Sequence, residues 1–384
     1  MSDSIRPYRI EIPDADIADL KRRLEATRWP EREAVDDWSQ GTPLAYLQAV
    51  CATWEKAYDW RATETRLNRL PQFVTAIDGV DIHFVHLRST QEQALPLVMT
   101  HGWPGSIVEF LKVVEPLVEP TAHGGSAEEA FHLVLPTIPG YGFSGKPART
   151  GWGVERIARA WSELMRRLGY ASYVAQGGDW GASVTTWIGN QDPAHCRGIH
   201  VNMPIVAVDK ATLADLTAQE KSAIEGRKYY ADWDSGYSKQ QSTRPQSVGY
   251  GLVDSPAGLA GWILEKFQAW TDCDGHPENV LSRNELLDNL MFYWLPGTGA
   301  SSARLYWESF SRTPLDPVQV PTGCSLFPKE IFRASRRWVE KRYTNVVYWN
   351  ELERGGHFAA FEQPDVFVRE LRACFRHMRG RNGG

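Results

Sequence analysis

The most distinctive chemical feature of the sequence is an aspartate in a glycine-rich turn, Gly177-Gly178-Asp179-Trp180-Gly181. A predicted strand precedes this turn and a predicted helix follows it, which is the setting of a nucleophile elbow. So tight a turn needs small residues two places before and after the nucleophile, where Gly177 and Gly181 stand. A carboxylate nucleophile attacks an sp³ carbon and forms an alkyl ester, so Asp179 indicates opening of an epoxide or displacement of a halide. On this motif alone, a turn with a helix-capping aspartate remains open.

A second loop with the sequence HGWPG occupies residues 101–105 and follows an apolar run. In this setting such a loop presents a backbone N–H to an oxyanion, and we expect the amide of Trp103 to act together with that of Trp180. Trp180 also stands at a predicted helix start, where the helix dipole favours negative charge. His101 itself is expected to be structural. The motif is only moderately specific, because loops after strands often contain glycine and proline.

A histidine and a glutamate complete the predicted catalytic set. His357 lies in a GGHF loop after the last predicted strand, and a base there reaches the nucleophile from the carboxyl edge of a sheet. Glu330, in FPKE, follows the preceding predicted strand and gives the chain order nucleophile, acid, histidine. Asp316 precedes that strand and is placed badly for the same role. An acidic charge at a helix N-terminus is the alternative interpretation of Glu330.

Short apolar runs that alternate with helical patterns predict a mostly parallel sheet to position these residues. The sheet begins with a hairpin, 73–77 and 80–87, joined by an Asp-Gly turn. The further predicted strands are 95–100, 131–136, 172–176, 199–202, 318–326 and 346–349. The predicted helices between and after them are 107–117, 154–168, 331–341 and 365–378.

The same patterns divide the chain into four parts. Residues 1–72 are predicted to be helical and irregular, and residues 73–205 form the first part of an α/β core. Residues 206–310 are polar, rich in tyrosine and tryptophan and mostly helical, and they break the alternation. The alternation resumes over residues 311–384, the second part of the core. An insertion of this size between two parts of one sheet is typical of a cap.

Composition excludes several classes of protein. Lys and Arg number 42 against 47 Asp and Glu, a net charge of −5, so we expect neither a nucleic-acid nor an anionic-membrane partner. No apolar run reaches the length of a membrane span, and we expect no membrane anchor. The five scattered cysteines predict neither a disulfide framework nor a zinc site, and a cytoplasmic location is the default. The 16 Trp, 14 Tyr and 14 Phe suit a large apolar pocket or simply a bulky core.

Taken together, the motifs resemble those of the microsomal-type epoxide hydrolases of the α/β-hydrolase fold. The resemblance covers nearly the whole chain and is highly specific, because several motifs occur in order. They are YRIEIPDADIADLKRRLEATRWPE, HGWPGS, GGDWGA, DSPAGLAGWILEKFQAWTD, YWLPGTGASSARLYWES, VPTGCSLFPKE and RGGHFAAFEQP. The resemblance implies an α/β-hydrolase core, a helical cap insertion and an N-terminal segment, residues 1–72, that wraps round the core.

The resemblance also implies roles for five residues. Asp179 matches the nucleophile, His357 the general base and Glu330 the acid that orients it. Tyr237 and Tyr306 match two cap tyrosines that bind the epoxide oxygen, a role that composition alone could not assign. The implied substrate is a hydrophobic aryl or alkyl epoxide that yields a vicinal diol, without a metal or organic cofactor. A homodimer through the N-terminal segment or the cap is also implied.

The sequence departs from the family in two ways. Some members carry an N-terminal anchor that this chain lacks, which favours a protein free of the membrane. The run between SSARLYWESF and the strand at Val318 is short, which would change the cap hinge and the pocket shape.

Three other functions compete with this interpretation. A haloalkane dehalogenase shares the aspartate, the histidine and a Trp directly after the nucleophile, but a halide leaves without protonation and needs N–H donors, not paired tyrosines. A non-catalytic ligand-binding protein of the same fold would not need the nucleophile, base and acid together. A plain esterase is disfavoured, because an aspartate is a poor nucleophile for acyl transfer.

Overall fold

The computed structural model describes residues 4–310 and 315–379. In these ranges one sheet contains nine strands: β1 (Arg6–Tyr8), β2 (Gln72–Ile77), β3 (Val80–Leu87), β4 (Leu95–Thr100), β5 (Phe131–Pro136), β6 (Tyr173–Gly177), β7 (Cys196–Val201), β8 (Thr322–Leu326) and β9 (Val346–Glu351). Their order is β1-β2-β3-β5-β4-β6-β7-β8-β9. Neighbouring strands in this order are antiparallel from β1 to β5. From β5 to β9, all neighbouring strands are parallel. The predicted mostly parallel sheet is therefore confirmed.

Helices flank this sheet and fill the insertion between β7 and β8. They are α1 (Asp14–Glu25), α2 (Leu44–Lys56), α3 (Trp60–Leu67), α4 (Val114–Val118), α5 (Val154–Arg167), α6 (Asp179–Gln191), α7 (Ala218–Tyr229), α8 (Gly236–Thr243), α9 (Pro245–Asp254), α10 (Pro256–Trp270), α11 (Arg283–Trp294), α12 (Gly299–Ser309), α13 (Arg336–Val339), α14 (Ala359–Glu362) and α15 (Pro364–Arg376). In the described part of the chain, no helix is both long enough and apolar enough to span a membrane.

The Asp-Gly turn closes the predicted hairpin between β2 and β3. Ile77 pairs with Val80, and the two residues between them, Asp78 and Gly79, have φ of +50° and +83°. Positive φ at both central positions gives a two-residue turn whose twist matches that of the strands, and glycine adopts it without steric cost. The turn chemistry thus sets the register of the hairpin.

The N-terminal segment contacts both the sheet and the cap. Strand β1 pairs with β2 at the sheet edge, and helices α1 and α2 pack against α10 of the cap. The buried carboxylate of Asp288 on α11 accepts hydrogen bonds from the hydroxyls of Tyr58 and Thr63, both at 2.7 Å, and pairs with Arg66. A charged acceptor with several donors stabilises this contact and ties the N-terminal segment to the cap.

Three predicted elements have wrong boundaries. The helix over 107–117 is instead a short 3-10 helix, Ile107–Phe110, followed by α4. Pro116 lacks an N–H and is tolerated only in a first turn, so a new helix that begins at Val114 accommodates it. The strand over 318–326 is reduced to β8, with Val318 in an isolated bridge to Tyr343.

The helix predicted over 331–341 shortens to α13. The residues before it are held by other elements: Arg333 donates to the Ser222 hydroxyl at 3.0 Å, and the hydroxyl of Ser335 donates to a carboxylate oxygen of Glu220 at 2.6 Å. These bonds to the cap helix α7 compete with local helix formation, so propensity alone overestimates the length of the helix.

Candidate active site

The turn between β6 and α6 places Asp179 at the carboxyl edge of the sheet. Asp179 has φ +50°, a left-handed conformation that is strained for a residue with a side chain. A Cβ added to Gly177 would lie 2.1 Å from the carbonyl oxygen of Gly181, and one added to Gly181 would lie 1.9 Å from that of Thr100. Neither position has room for a side chain, which gives the physical reason for the glycine spacing of the motif.

The two carboxylate oxygens of Asp179 have different surroundings. The backbone N–H of Trp103 donates to Oδ1 at 2.8 Å, whereas Oδ2 lies 3.5 Å from Nε2 of His357. A Cβ on Gly102 would lie 2.2 Å from Oδ1, so the absence of a side chain there admits the carboxylate. Trp180, the second residue of α6, presents its amide in the first helical turn, where N–H groups have no partner within the helix.

His357 and Glu330 form the contact that the sequence predicts for a base and its acid. Nδ1 of His357 lies 2.6 Å from Oε1 of Glu330, and both side chains are buried. Oε1 also accepts from the backbone N–H of Ile331 at 2.7 Å, and Oε2 accepts from Asn202 at 3.4 Å. Gln176 in turn donates to Asn202 at 3.1 Å. This network fixes the glutamate and through it the orientation of the imidazole.

Opposing effects set the charge of His357. Burial acts to lower its pKa, but the carboxylates of Glu330 and Asp179 outweigh burial and hold the pKa well above the usual 6.5. The two carboxylates thus favour the imidazolium form of the ring. The charge of Asp179 is one of the two that maintain this state.

The two predicted cap tyrosines line the same cavity as the nucleophile. The ring of Tyr237 stacks on Trp103 at 4.8 Å between centroids, and that of Tyr306 packs edge-on against Trp180 at the same distance. Their centroids are 5.7 Å apart. Burial raises the pKa of both phenols well above 10, so both remain neutral hydroxyls that can donate hydrogen bonds.

The contacts of His101 are those of a residue that holds its loop in place. Its Nδ1 lies 3.0 Å from the carbonyl oxygen of Gly102, and its Nε2 accepts from the backbone N–H of Ile138 at 3.2 Å. Burial lowers its pKa to about 4, so the ring is neutral and can accept that bond. It thereby holds the loop that carries the Trp103 amide.

Two polar side chains close to the nucleophile were not among the residues predicted from the sequence. The hydroxyl of Tyr230, seven residues before Tyr237, lies 3.0 Å from that of Tyr237. The carboxyl group of Glu109 lines a small cavity of about 20 Å³ together with Asp179 and His357. The only hint in the sequence was an acidic residue inside the apolar run Ile107–Phe110.

Burial dominates the environment of Glu109. It raises the pKa to about 8, although His357 and a backbone N–H of Gly102 act to lower it. Oε1 of Glu109 is buried and accepts no hydrogen bond from the described residues. The small cavity has room for one water molecule, so Glu109 and His357 can hold a water beside Asp179.

A larger cavity of about 340 Å³ also borders the nucleophile. Asp179, Tyr237 and Tyr306 belong to its lining. Its apolar lining includes Met203, Ile205, Val206, Phe310, Ile331 and Phe332. None of the described cap residues Trp233, Trp262, Trp270, Trp294 and Trp307, which suggested a hydrophobic substrate, contributes to this lining. The apolar character therefore comes mainly from aliphatic side chains and phenylalanines.

The parallel sheet, the strand–nucleophile–helix turn and the helical insertion together define a protein of the α/β-hydrolase fold. A sequence profile of that fold matches residues 96–237, and a profile of the epoxide hydrolase N terminus matches residues 5–110. The second profile spans the N-terminal segment and the loop that carries Trp103.

Individual proteins extend the match to nearly the whole chain. A protein of Stigmatella aurantiaca (strain DW4/3-1), named as a candidate epoxide hydrolase, is 55% identical over 98% of this chain and 86% of its own length. Epoxide hydrolase 1 of Sus scrofa is 36% identical over 96% and 88%. The crystal structure of the juvenile hormone epoxide hydrolase of the silkworm Bombyx mori superposes with a TM-score of 0.91 at 30% identity, covering 98% of this chain and 95% of that one. The chain belongs to the epoxide hydrolase family, which confirms the resemblance seen in the motifs.

Proposed function

We propose that the protein hydrolyses a hydrophobic aryl or alkyl epoxide to a vicinal diol through an alkyl ester on Asp179. One observation carries the proposal: the carboxylate of Asp179 faces a backbone N–H on one oxygen and a histidine on the other, and it lines the same cavity as two neutral tyrosines. The relatives named as epoxide hydrolases support it.

Ring opening uses the nucleophile and the tyrosines. The hydroxyls of Tyr237 and Tyr306 donate to the epoxide oxygen, while Oδ2 of Asp179 attacks a ring carbon from the opposite side. A C–O bond of the ring breaks as the ester bond forms, and the oxygen takes up a proton. An alkoxide is a poor leaving group, so these donors act mainly in the transition state.

Ester formation also changes the state of His357. The attack neutralises Asp179 and removes one of the two carboxylates that hold the imidazolium, so the pKa of His357 falls. The proton that His357 releases balances the proton taken up by the opened epoxide. The neutral imidazole is then a base for the second step. The same arrangement thus prevents His357 from acting before the ester exists.

Hydrolysis of the ester takes place on the side of the small cavity. A water held between Nε2 of His357 and Glu109 loses a proton to the imidazole and attacks the carbonyl carbon of the ester. The amides of Trp103 and Trp180 stabilise the oxyanion, and each such donor typically contributes about 10²–10³ in rate. As the ester C–O bond breaks, the leaving oxygen of the diol takes the proton back from His357. The carboxylic acid left on Asp179 then gives its proton to the imidazole, which restores the resting pair.

The decisive experiment compares diol formation from aryl and alkyl epoxides with halide release from matched haloalkanes. We expect diol only, and its loss in Asp179→Ala; alanine is preferable to asparagine, which hydrolysis could convert back to aspartate. Halide without diol would establish the dehalogenase alternative. No turnover of either class by folded protein would favour a ligand-binding role.

A second variant isolates the base. His357→Gln should still form the ester and then stop, and mass spectrometry of the intact protein should show the mass of one added substrate. Loss of turnover without an adduct would contradict the role given to His357, because the block would then precede ester formation.

A further inference from the structure

The large cavity contains a guanidinium that the proposed chemistry does not use. Arg227 on α7 lines this cavity, and one of its terminal nitrogens donates to the carbonyl oxygen of Val206 at 3.1 Å. Its Nε is buried and has no hydrogen-bond partner among the described residues. Burial lowers the pKa of Arg227, and no carboxylate offsets that effect. A partly buried cation without a carboxylate partner is costly, so its presence in a ligand cavity needs an explanation.

A second guanidinium lines the same cavity. Arg342, which is 7% exposed, donates from Nη1 to the carbonyl oxygen of Ile205 at 2.6 Å. Among the described lining residues, Asp179 provides the opposing charge, and it already faces His357. The two guanidinium groups thus bind adjacent carbonyl groups of the cavity wall, and the charge of Asp179 does not contribute to the pKa of Arg227.

We propose that Arg227, with Arg342 beside it, binds the carboxylate of an epoxy acid, a substrate with an apolar body, an epoxide at one end and a carboxylate at the other. The inference rests on the proposed epoxide hydrolysis and specifies its substrate class. The planar guanidinium matches the two oxygens of a carboxylate, and the aliphatic and phenylalanine side chains of the same lining suit a hydrocarbon chain.

The test compares a terminal-epoxy fatty acid of medium chain length with its methyl ester. The two differ only in the charge at the far end, so their ratio of kcat/KM isolates the contribution of the carboxylate. Wild type should prefer the acid. Arg227→Leu should reduce the acid-to-ester ratio about 10- to 100-fold, the usual effect of one hydrogen-bonded charge pair, chiefly through a higher KM for the acid.

Two further variants make the comparison specific. Lys228→Leu removes an equal charge from the next residue, which is exposed and pairs with Asp232, and should leave the ratio unchanged. Arg227→Lys keeps the charge without the planar fork and should give an intermediate ratio, and it serves if the leucine variant does not fold. A saturated fatty acid of the same length should inhibit wild type competitively and Arg227→Leu more weakly.

The outcomes separate this inference from the proposed function. The carboxylate site would be overturned if the enzyme opened the epoxide of the methyl ester as well as that of the acid and if Arg227→Leu left the ratio unaltered. Epoxide hydrolysis itself would then still stand. The proposed function itself would be overturned if the enzyme hydrolysed neither the epoxy acid, nor its methyl ester, nor the uncharged aryl and alkyl epoxides.

Discussion

Replacement of Gly102 by alanine should disable the nucleophile without unfolding the protein. The new methyl group would lie 2.2 Å from Oδ1 and 2.6 Å from Cγ of Asp179, whereas ordinary contact begins at 3.4 Å. The carboxylate or the loop must therefore move by about 1.2 Å. The strained backbone of Asp179 leaves little freedom to adapt, and the move breaks the 2.8 Å bond from the Trp103 amide. A displacement of about 1 Å at a reacting group typically costs about 100-fold in rate.

The assay is kcat/KM for diol formation, with single-turnover measurement of ester formation and thermal unfolding alongside. We expect about a 100-fold loss in ester formation and little change in Tm. Gly251→Ala is the matched control, because no atom lies within 4 Å of its new methyl group on the exposed face of α9. A folded Gly102→Ala protein with kcat/KM within about threefold of wild type would refute the placement of the Asp179 carboxylate against this loop.

Three further predictions concern the acid, the water and the N-terminal segment. Glu330→Gln removes a carboxylate that raises the pKa of His357. Ester hydrolysis increases as the imidazole loses its proton, so in single-turnover pH profiles its rate should begin to rise at lower pH and reach a lower plateau. An unshifted profile would contradict the electrostatic role of Glu330. Glu109→Leu should slow ester hydrolysis about 100-fold without affecting ester formation, so that alkylated protein accumulates. Glu109→Gln keeps an oxygen beside the water and should retain most of the wild-type rate. Equal effects of the two variants would exclude a role of Glu109 in positioning the water. Asp288→Ala leaves the buried hydroxyls of Tyr58 and Thr63 without their acceptor and should lower the free energy of unfolding in urea by about 3 kcal/mol, and a loss below about 0.5 kcal/mol would show that this contact does not stabilise the fold.

The sequence predicted the sheet well because short buried strands leave strong local signals. Apolar runs and the Asp-Gly turn located β2 to β6 within one residue of their bounds and β7 within three. Strand β1 escaped notice because Arg6–Tyr8 is too short to show a pattern, and its pairing depends on an edge offered by β2. The break between Phe110 and Val114 needed attention to Pro116, whose missing N–H rules out a continuous helix.

The site was predictable only where the chain itself constrains the chemistry. Asp179 is marked by glycines that the turn requires, and His357 by its loop after the last strand. The cap residues carry no such mark, so roles for Tyr237 and Tyr306 could be predicted only from the family resemblance. Glu109, Tyr230 and Arg227 were missed because each gains its meaning from a cavity wall built by distant segments.

The end of α10 has a consequence for exchanging parts between relatives. The carbonyl oxygen of Trp270 accepts from the backbone N–H of His357 at 2.9 Å, and a Cβ on Gly356 would lie 2.4 Å from that oxygen. The indole of Trp270 packs against the imidazole, and its Nε1 donates to Asp234 at 2.6 Å. A chimera that grafts a foreign cap onto this core would therefore remove the support of the base along with the old pocket. An active chimera should therefore take residues 256–270 and the loop 355–358 from the same parent.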